Sequence, residues 1–275
     1  MEIKSNKYDY KIIVSSFLSN VNNNRPTEIY IEYGKKILYE PHVHVILFIE
    51  KNIFYKHLPE FDSKTIYTCI LFGKEYEYIL HHKKIFIFIE KEDNYLYEYH
   101  QLITDFHINT DNPNKDTLDY MFCMCYKTEC IKMAIHFIKQ HNFFEDKIEY
   151  IWLDFGIYHI VKNDNLFTEE INNLVKRPLN HDSKIRIAVF SYNINNNIDF
   201  TKNICWFFLG GIFGGFEEQL LLFSELMRET SIQFIKNHKS FIWEVNLWYI
   251  IYLQNKELFD CYYCNNHDIK MIQNY

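Results

Sequence analysis

"KIEYIWLDFG", residues 147–156, is an apolar run that stops abruptly at an acid and a glycine. It reads as a buried strand whose last carboxylate, Asp154, leaves the sheet where a cleft opens. Before it, "DTLDYMFCMCYKTECIKMAIHFIKQHN" (116–142) carries Leu118, Met121, Phe122, Cys125 and then Ile131, Ile135, Ile138 at intervals of three or four, which predicts one long helix. After it come a capped helix, "TEEINNLVK" (168–176), a strand, "KIRIAVFSY" (184–192), and the Asn-rich turn "NINNN".

The same alternation extends to both ends. "YKIIVSSF" (10–17) is a β-branched run ending in small hydroxyl residues, "TEIYIEYGKKIL" (27–38) a helix with a Thr cap that stops before Pro41, and "HVHVILFI" (42–49) a second strand. "TIYTCILF" (65–72) and "KIFIFIEK" (84–91) are strand-like, with "KEYEYILHHKK" between them open to helix or hairpin. Towards the other end, strand "NICWFFL" (203–209) enters a glycine cluster and leaves as the helix "FEEQLLLFSELMRETSIQFIKNH" (216–238). "WEVNLWYIIYLQN" (243–255) is the last long helix and "FDCYYCNNHD" (259–268) a short strand with an exit loop. Strands alternating with helices, without a Pro- or Ser-rich linker, predict an α/β class: a mainly parallel sheet flanked by helices in a single domain over residues 1–275. Ligands of such sheets lie beyond the carboxyl ends of the strands. That rule selects Ser15–Phe17, Asp154–Gly156, Gly210–Gly215 and the loop near His267.

The 275 residues, 48% hydrophobic, suffice to bury a full core. A formal charge of −7, from 29 basic and 36 acidic residues without a basic block, argues against nucleic acid as a partner. The start of the sequence has no signal-peptide pattern and no apolar run is long enough to span a membrane, so the expectation is a cytoplasmic protein with no membrane span. Seven irregularly spaced cysteines read as reduced, mostly buried thiols.

Of seven glycines, four (Gly210, Gly211, Gly214, Gly215) fall within six positions. The GGxxGG spacing is neither a dinucleotide fingerprint nor a phosphate-binding loop. It suits either close approach of a ligand to the main chain or two tight turns. Asp154 is placed to hold a divalent metal against a diphosphate, or else to cap a turn. Glu244 and Asn246 stand among bulky apolar residues, where a sugar's hydroxyls would give them partners, although a first-turn acid is also favoured by the helix dipole. Cys261, Cys264 and His267 lack the further ligands that a structural zinc needs. A late His267 reaching a metal beside Asp154 is the better functional reading of that loop.

Together these residues resemble the HtrL/YibB-type family, glycosyltransferase-like proteins related to the nucleotide-diphospho-sugar transferases of GT-A fold. The matching segments are "IIVSSF" with "NRPTEIYIEYGKKIL", "YKTECIKMAI" leading to "YIWLDFGI", "FFLGGIFGGFEEQ", and "WEVNLWYI" followed by "YYCNNHD". They cover most of the chain outside residues 50–115, which are left as part of the sheet or an acceptor-side insertion; "LGGIFGG" and "WLDFGI" are the most specific. The resemblance implies a GT-A-like domain that transfers a sugar from a nucleotide sugar, a UDP-sugar, to an acceptor hydroxyl of a glycan or protein. It places Ser15, Ser16 and Phe17 by the base and ribose, and Arg25 and Lys127 by the diphosphate, with Trp152 also on the cofactor side. Asp154 would hold Mn²⁺ or Mg²⁺, the glycine cluster would face the donor sugar, and Glu244 with Asn246 would lie at the reacting centre. The second position of the usual Asp-x-Asp is Gly156 here, so His267 or Asp268, less readily His159, would complete the metal site, or the enzyme works without one. That missing acid also motivates an alternative, a non-catalytic carbohydrate- or protein-binding module on the same fold. A nucleotidyltransferase is less favoured, because no basic glycine-rich loop follows the first strand.

Overall fold

The computed structural model describes residues 10–19, 26–61, 66–71, 74–81, 83–141, 147–179, 183–190, 199–264 and 267–275. Strand β1 (Tyr10–Phe17) is apolar on both sides and lies inside the sheet. Its alternate residues feed two cores: Ile12 and Val14 one face, Ile13 and Phe17 the other. Helix α1 (Thr27–Leu38) crosses to β2 (His44–Ile49), which is parallel to β1 and is followed by the short helix α2 (Lys51–His57). The ambiguous segment is a hairpin, β3 (Ile66–Leu71) with β4 (Lys74–His81), that pairs antiparallel onto β5 (Lys84–Phe88). The described part of residues 50–115 thus supplies three strands of the sheet, with helix α2, a run of 3₁₀ turns and an irregular segment beside them.

The predicted long helix is divided at Tyr126 into α3 (Leu118–Cys125) and α4 (Lys127–His141), so that Lys127 opens the second piece. Strand β6 (Ile148–Leu153) then pairs parallel with the opposite side of β1. Helix α5 (Asp164–Lys176) follows, capped by the Asn163 side chain, and then β7 (Ile185–Val189).

Residues 203–207 are not strand; β8 is Phe208–Phe216 and contains the whole glycine cluster, antiparallel between β6 and β7. Two causes are visible. Asn246 accepts a hydrogen bond from Cys205 N at 2.7 Å and donates to the carbonyls of Phe200 and Asn203 at 3.0 and 2.7 Å, which holds that segment out of any ladder. The glycines admit the strand into a crowded gap: a Cβ on Gly214 would lie 2.5 Å from the Tyr150 carbonyl oxygen and against the Tyr275 hydroxyl, and one on Gly215 would lie 3.0 Å from that of Lys184. The chain ends its circuit through α6 (Glu217–His238), α7 (Glu244–Gln254), β9 (Phe259–Tyr263) and α8 (Lys270–Gln273).

Among the described residues the sheet has nine strands in the order β3-β4-β5-β2-β1-β6-β8-β7-β9. Only β4 and β8 run against the rest, giving a mixed, mostly parallel α/β sheet. Helices α3, α4, α6 and α7 cover one face, and α1, α2, α5 and α8 the other. Cys123, Cys125, Cys130, Cys205, Cys261 and Cys264 are free thiols. No helix among the described residues is long and apolar enough to cross a membrane.

Candidate functional site

The order of the strands creates the site. From β1 the chain builds outward through β2 to β5, then returns to lay β6 on the other side of β1, so the winding direction reverses between them. At such a switch point the loops leaving adjacent strands diverge and a crevice opens beyond their carboxyl ends. The β1–β6 ladder closes at Val14–Trp152, and one residue further the buried Ser15 hydroxyl donates to the Leu153 carbonyl. Beyond that clasp lies a cavity of about 590 Å³.

Ser16 and Phe17 line it from β1, Trp152 from β6 and Asp154 from the position that follows it, and Gly210 and Gly211 from the start of β8. Because β8 is antiparallel, its first residues reach the same end of the sheet as the last residues of β6. Lys127, Glu244 and His267 complete the set brought together from distant parts of the chain. Ser15 and Asn246 are fully buried and hold backbone instead, while Gly214 and Gly215 serve strand packing away from the cavity. Arg25 lies outside the described residues.

Lys127 organises the floor. Its ammonium, 2% exposed, lies 3.0 Å from Asp154 Oδ1 and 3.1 Å from Glu244 Oε1, and donates to the Gly210 carbonyl at 2.9 Å. Those acceptors match the three N–H bonds of an ammonium group. Burial opposes its charge, but the two carboxylates more than offset this and raise its pKa above the ordinary lysine value. The Trp152 indole N–H donates to the same Asp154 Oδ1 at 2.7 Å, and Asp154 N donates to the Gly211 carbonyl at 3.0 Å. Gly210 is needed here, since a Cβ would lie 2.5 Å from Glu244 Oε1.

The β1 flank is aromatic. Phe17 packs against Tyr30 and Phe155 with ring centroids 5.8 and 5.7 Å apart, and Phe155 sits over Gly34, where a Cβ would collide with its ring. Gly156 is similarly constrained: a Cβ would stand 2.9 Å from the Tyr30 ring, so an acid at this second position would meet that ring. The opposite flank is formed by residues 109–112, Ile204, Trp206, Trp243 and Val245. Cys123 also lines the cavity, but burial pushes its thiol up to about 12, which favours the neutral thiol over the thiolate.

The expected metal site finds few donors. Asp154 Oδ1 is taken by Lys127 and Trp152, and no group of three or more His, Cys, Asp or Glu side chains is placed to hold an ion among the described residues. His267 lines the cavity with its ring 6.0 Å from that of His159, and burial lowers its pKa despite the opposing charge of Asp154. This donor set does not fit a divalent cation held by the protein alone.

Several lining residues carry no sequence signal: Tyr30, Lys115, Tyr120 and Trp206 sit in a helix face or irregular segments that no motif marks. The contribution of Tyr30 follows only from the register of α1 against the end of β6, which a periodicity cannot supply. Comparison of the chain with protein-family models and with curated proteins finds no match.

Proposed function

We propose that the chain is a glycosyltransferase of GT-A-like fold that takes a nucleotide sugar, a UDP-sugar, and transfers the sugar to an acceptor hydroxyl. The observation that carries this reading is the switch-point cavity, with Asp154, Lys127 and Glu244 locked together on its floor and Gly210 and Gly211 lining it beside them. The aromatic flank of Phe17 and Tyr30 at the end of β1 offers the base a stacking surface, in keeping with the place of nucleotides in doubly wound sheets. The sequence likeness in "WLDFGI" and in the first glycine pair of "LGGIFGG" falls on the same floor.

In this reading Asp154 is held by Lys127 and Trp152 to orient the donor sugar's hydroxyls. Glu244 is the group that accepts the acceptor's proton if the configuration inverts, or steadies an oxocarbenium-like sugar if it is retained. The leaving diphosphate needs cationic help, and Lys115, which lines the cavity beside Asp116 at 3.2 Å, is the described amine nearest that role besides Lys127. No step runs through a metal, because the donor set does not fit one.

A second reading, a carbohydrate-binding module without catalysis, draws on one specific feature. The three donors of Lys127 are all engaged, and the described lining carries the carboxylates of Asp111, Asp116, Asp154 and Glu244 against two lysines, a poor setting for an anion. Calorimetric titration with UDP separates the two. The transferase reading expects saturable binding that Asp154→Asn leaves largely intact while donor hydrolysis is lost; binding of oligosaccharide without any binding of UDP would establish the second.

A further inference from the structure

Of the four tryptophans, Trp152, Trp243 and Trp248 are buried, whereas Trp206 is 53% exposed. Its neighbours Cys205 and Phe207 are both buried, so the backbone is fixed while the indole is turned outward, and the ring belongs to no aromatic pair or hydrogen bond among the described residues. A large apolar ring left in water forgoes a burial worth about 2 kcal/mol unless something covers it.

The sheet order fixes what lies beneath that ring. Strand β1 bounds the cavity on one side, β6 brings Asp154 to its middle, and β8 opens on the far side, with Trp206 two residues before its first residue, Phe208. On the same flank the segment 109–112 is anchored to the residues just before Trp206, by Asn109 N to the Lys202 carbonyl at 2.7 Å and by the Asn109 amide to Asn203 Oδ1 at 3.0 Å. That wall presents Asp111 and Asn112 to the cavity, while Thr110 is engaged with Asp116. A flat indole beside an amide and a carboxylate suits a pyranose: the ring covers the apolar C–H face, and the polar side chains take equatorial hydroxyls.

We infer that Trp206 is the platform of an acceptor subsite, and that the acceptor is a carbohydrate whose sugar ring stacks on it, with Asp111 and Asn112 binding its hydroxyls. This rests on the transferase reading and narrows it: the acceptor hydroxyl belongs to a glycan, not to a protein side chain. The nucleotide would lie on the β1 side and the acceptor on the β8 side, with Glu244 between them beside Gly210.

The test uses the whole chain on a printed glycan array, with soluble lactose, cellobiose, chitotriose and maltotriose for titration. Iodide quenching reports on the exposed Trp206, because the other three indoles are buried. The expected result is that at least one glycan on the array binds, that its soluble form shields the emission from iodide, and that Trp206→Ala weakens its binding by about tenfold or more. Trp206→Tyr should recover part of the loss, and UDP affinity should be unchanged in both variants. Absence of any glycan binding while UDP still binds would overturn the inference and leave the transferase reading standing, as would glycan binding indifferent to Trp206→Ala. Loss of UDP binding in the parent protein would instead count against the transferase reading itself.

Discussion

Replacing Lys127 with methionine removes the cation that joins Asp154, Glu244 and the Gly210 carbonyl on the cavity floor. Breaking a buried ion pair by deleting one partner costs about 3–5 kcal/mol, because the surviving charge stays buried without compensation. Glu244 is that survivor, its side chain 8% exposed, whereas Asp154 at 34% is partly relieved by water. The expected loss is therefore at the lower end, about 3 kcal/mol, and with a urea slope of about 3 kcal/mol/M it lowers the unfolding midpoint by about 1 M. Adding Glu244→Gln should restore about 1–2 kcal/mol, since a neutral amide no longer needs the cation, and the difference from additivity measures the coupling. The pKa of Lys127 is raised on folding, so its contribution is complete below the unfolded lysine value near 10.4 and is lost only as pH climbs through the folded value. The gap between parent and Lys127→Met should be flat from about pH 6 to 9 and shrink above about pH 10.5. A Lys127→Met unfolding free energy within about 0.5 kcal/mol of the parent, or strict additivity with Glu244→Gln, would refute the assignment of Lys127 as the joint of the site.

Other outcomes follow from the same packing. Gly214→Val should cost more than about 3 kcal/mol or prevent folding, because its Cβ meets the Tyr150 carbonyl and the Tyr275 hydroxyl, as thermal unfolding would reveal. Gly210→Ala presses on the Glu244 carboxylate instead, and should lower donor turnover well beyond its effect on the melting temperature. Gly156→Asp should not create an affinity for Mn²⁺ measurable by electron paramagnetic resonance, because Tyr30 occupies the space and Lys127 the neighbouring oxygen. His44 is held at about 4 by burial and by Lys83 and Lys84, below the ordinary 6.5, so the stability it contributes is complete above pH 6.5 and lost as pH falls towards 4. His44→Gln should flatten that part of the stability–pH curve measured in urea.

The frame was legible wherever apolar runs were continuous. β1 and α1 fall where "YKIIVSSF" and "TEIYIEYGKKIL" place them, although Pro26, not a Thr side chain, stands at the head of α1. "YIWLDFG" gave away both a central strand and the carboxylate at its end, because a buried strand must become polar where it leaves the sheet. The glycine cluster misled for a physical reason: glycine normally marks a turn, and here it marks a strand pressed between two neighbours. Asn246 shows the converse. Its burial among apolar residues suggested a ligand, but its bonds run to the backbone of residues 200–205, contacts across more than forty positions that no local pattern encodes. Glu244 was recognisable as out of place in its helix, yet its partner Lys127 lies 117 residues away in sequence and only the fold joins them.

Calorimetric titration of the whole chain with UDP and a set of UDP-sugars, followed by assay of donor hydrolysis in the same samples with EDTA or Mn²⁺, tests the proposed activity most directly. Saturable UDP binding, with hydrolysis of at least one UDP-sugar that Asp154→Asn abolishes, is the predicted result. No binding of UDP or any UDP-sugar in either condition would contradict it.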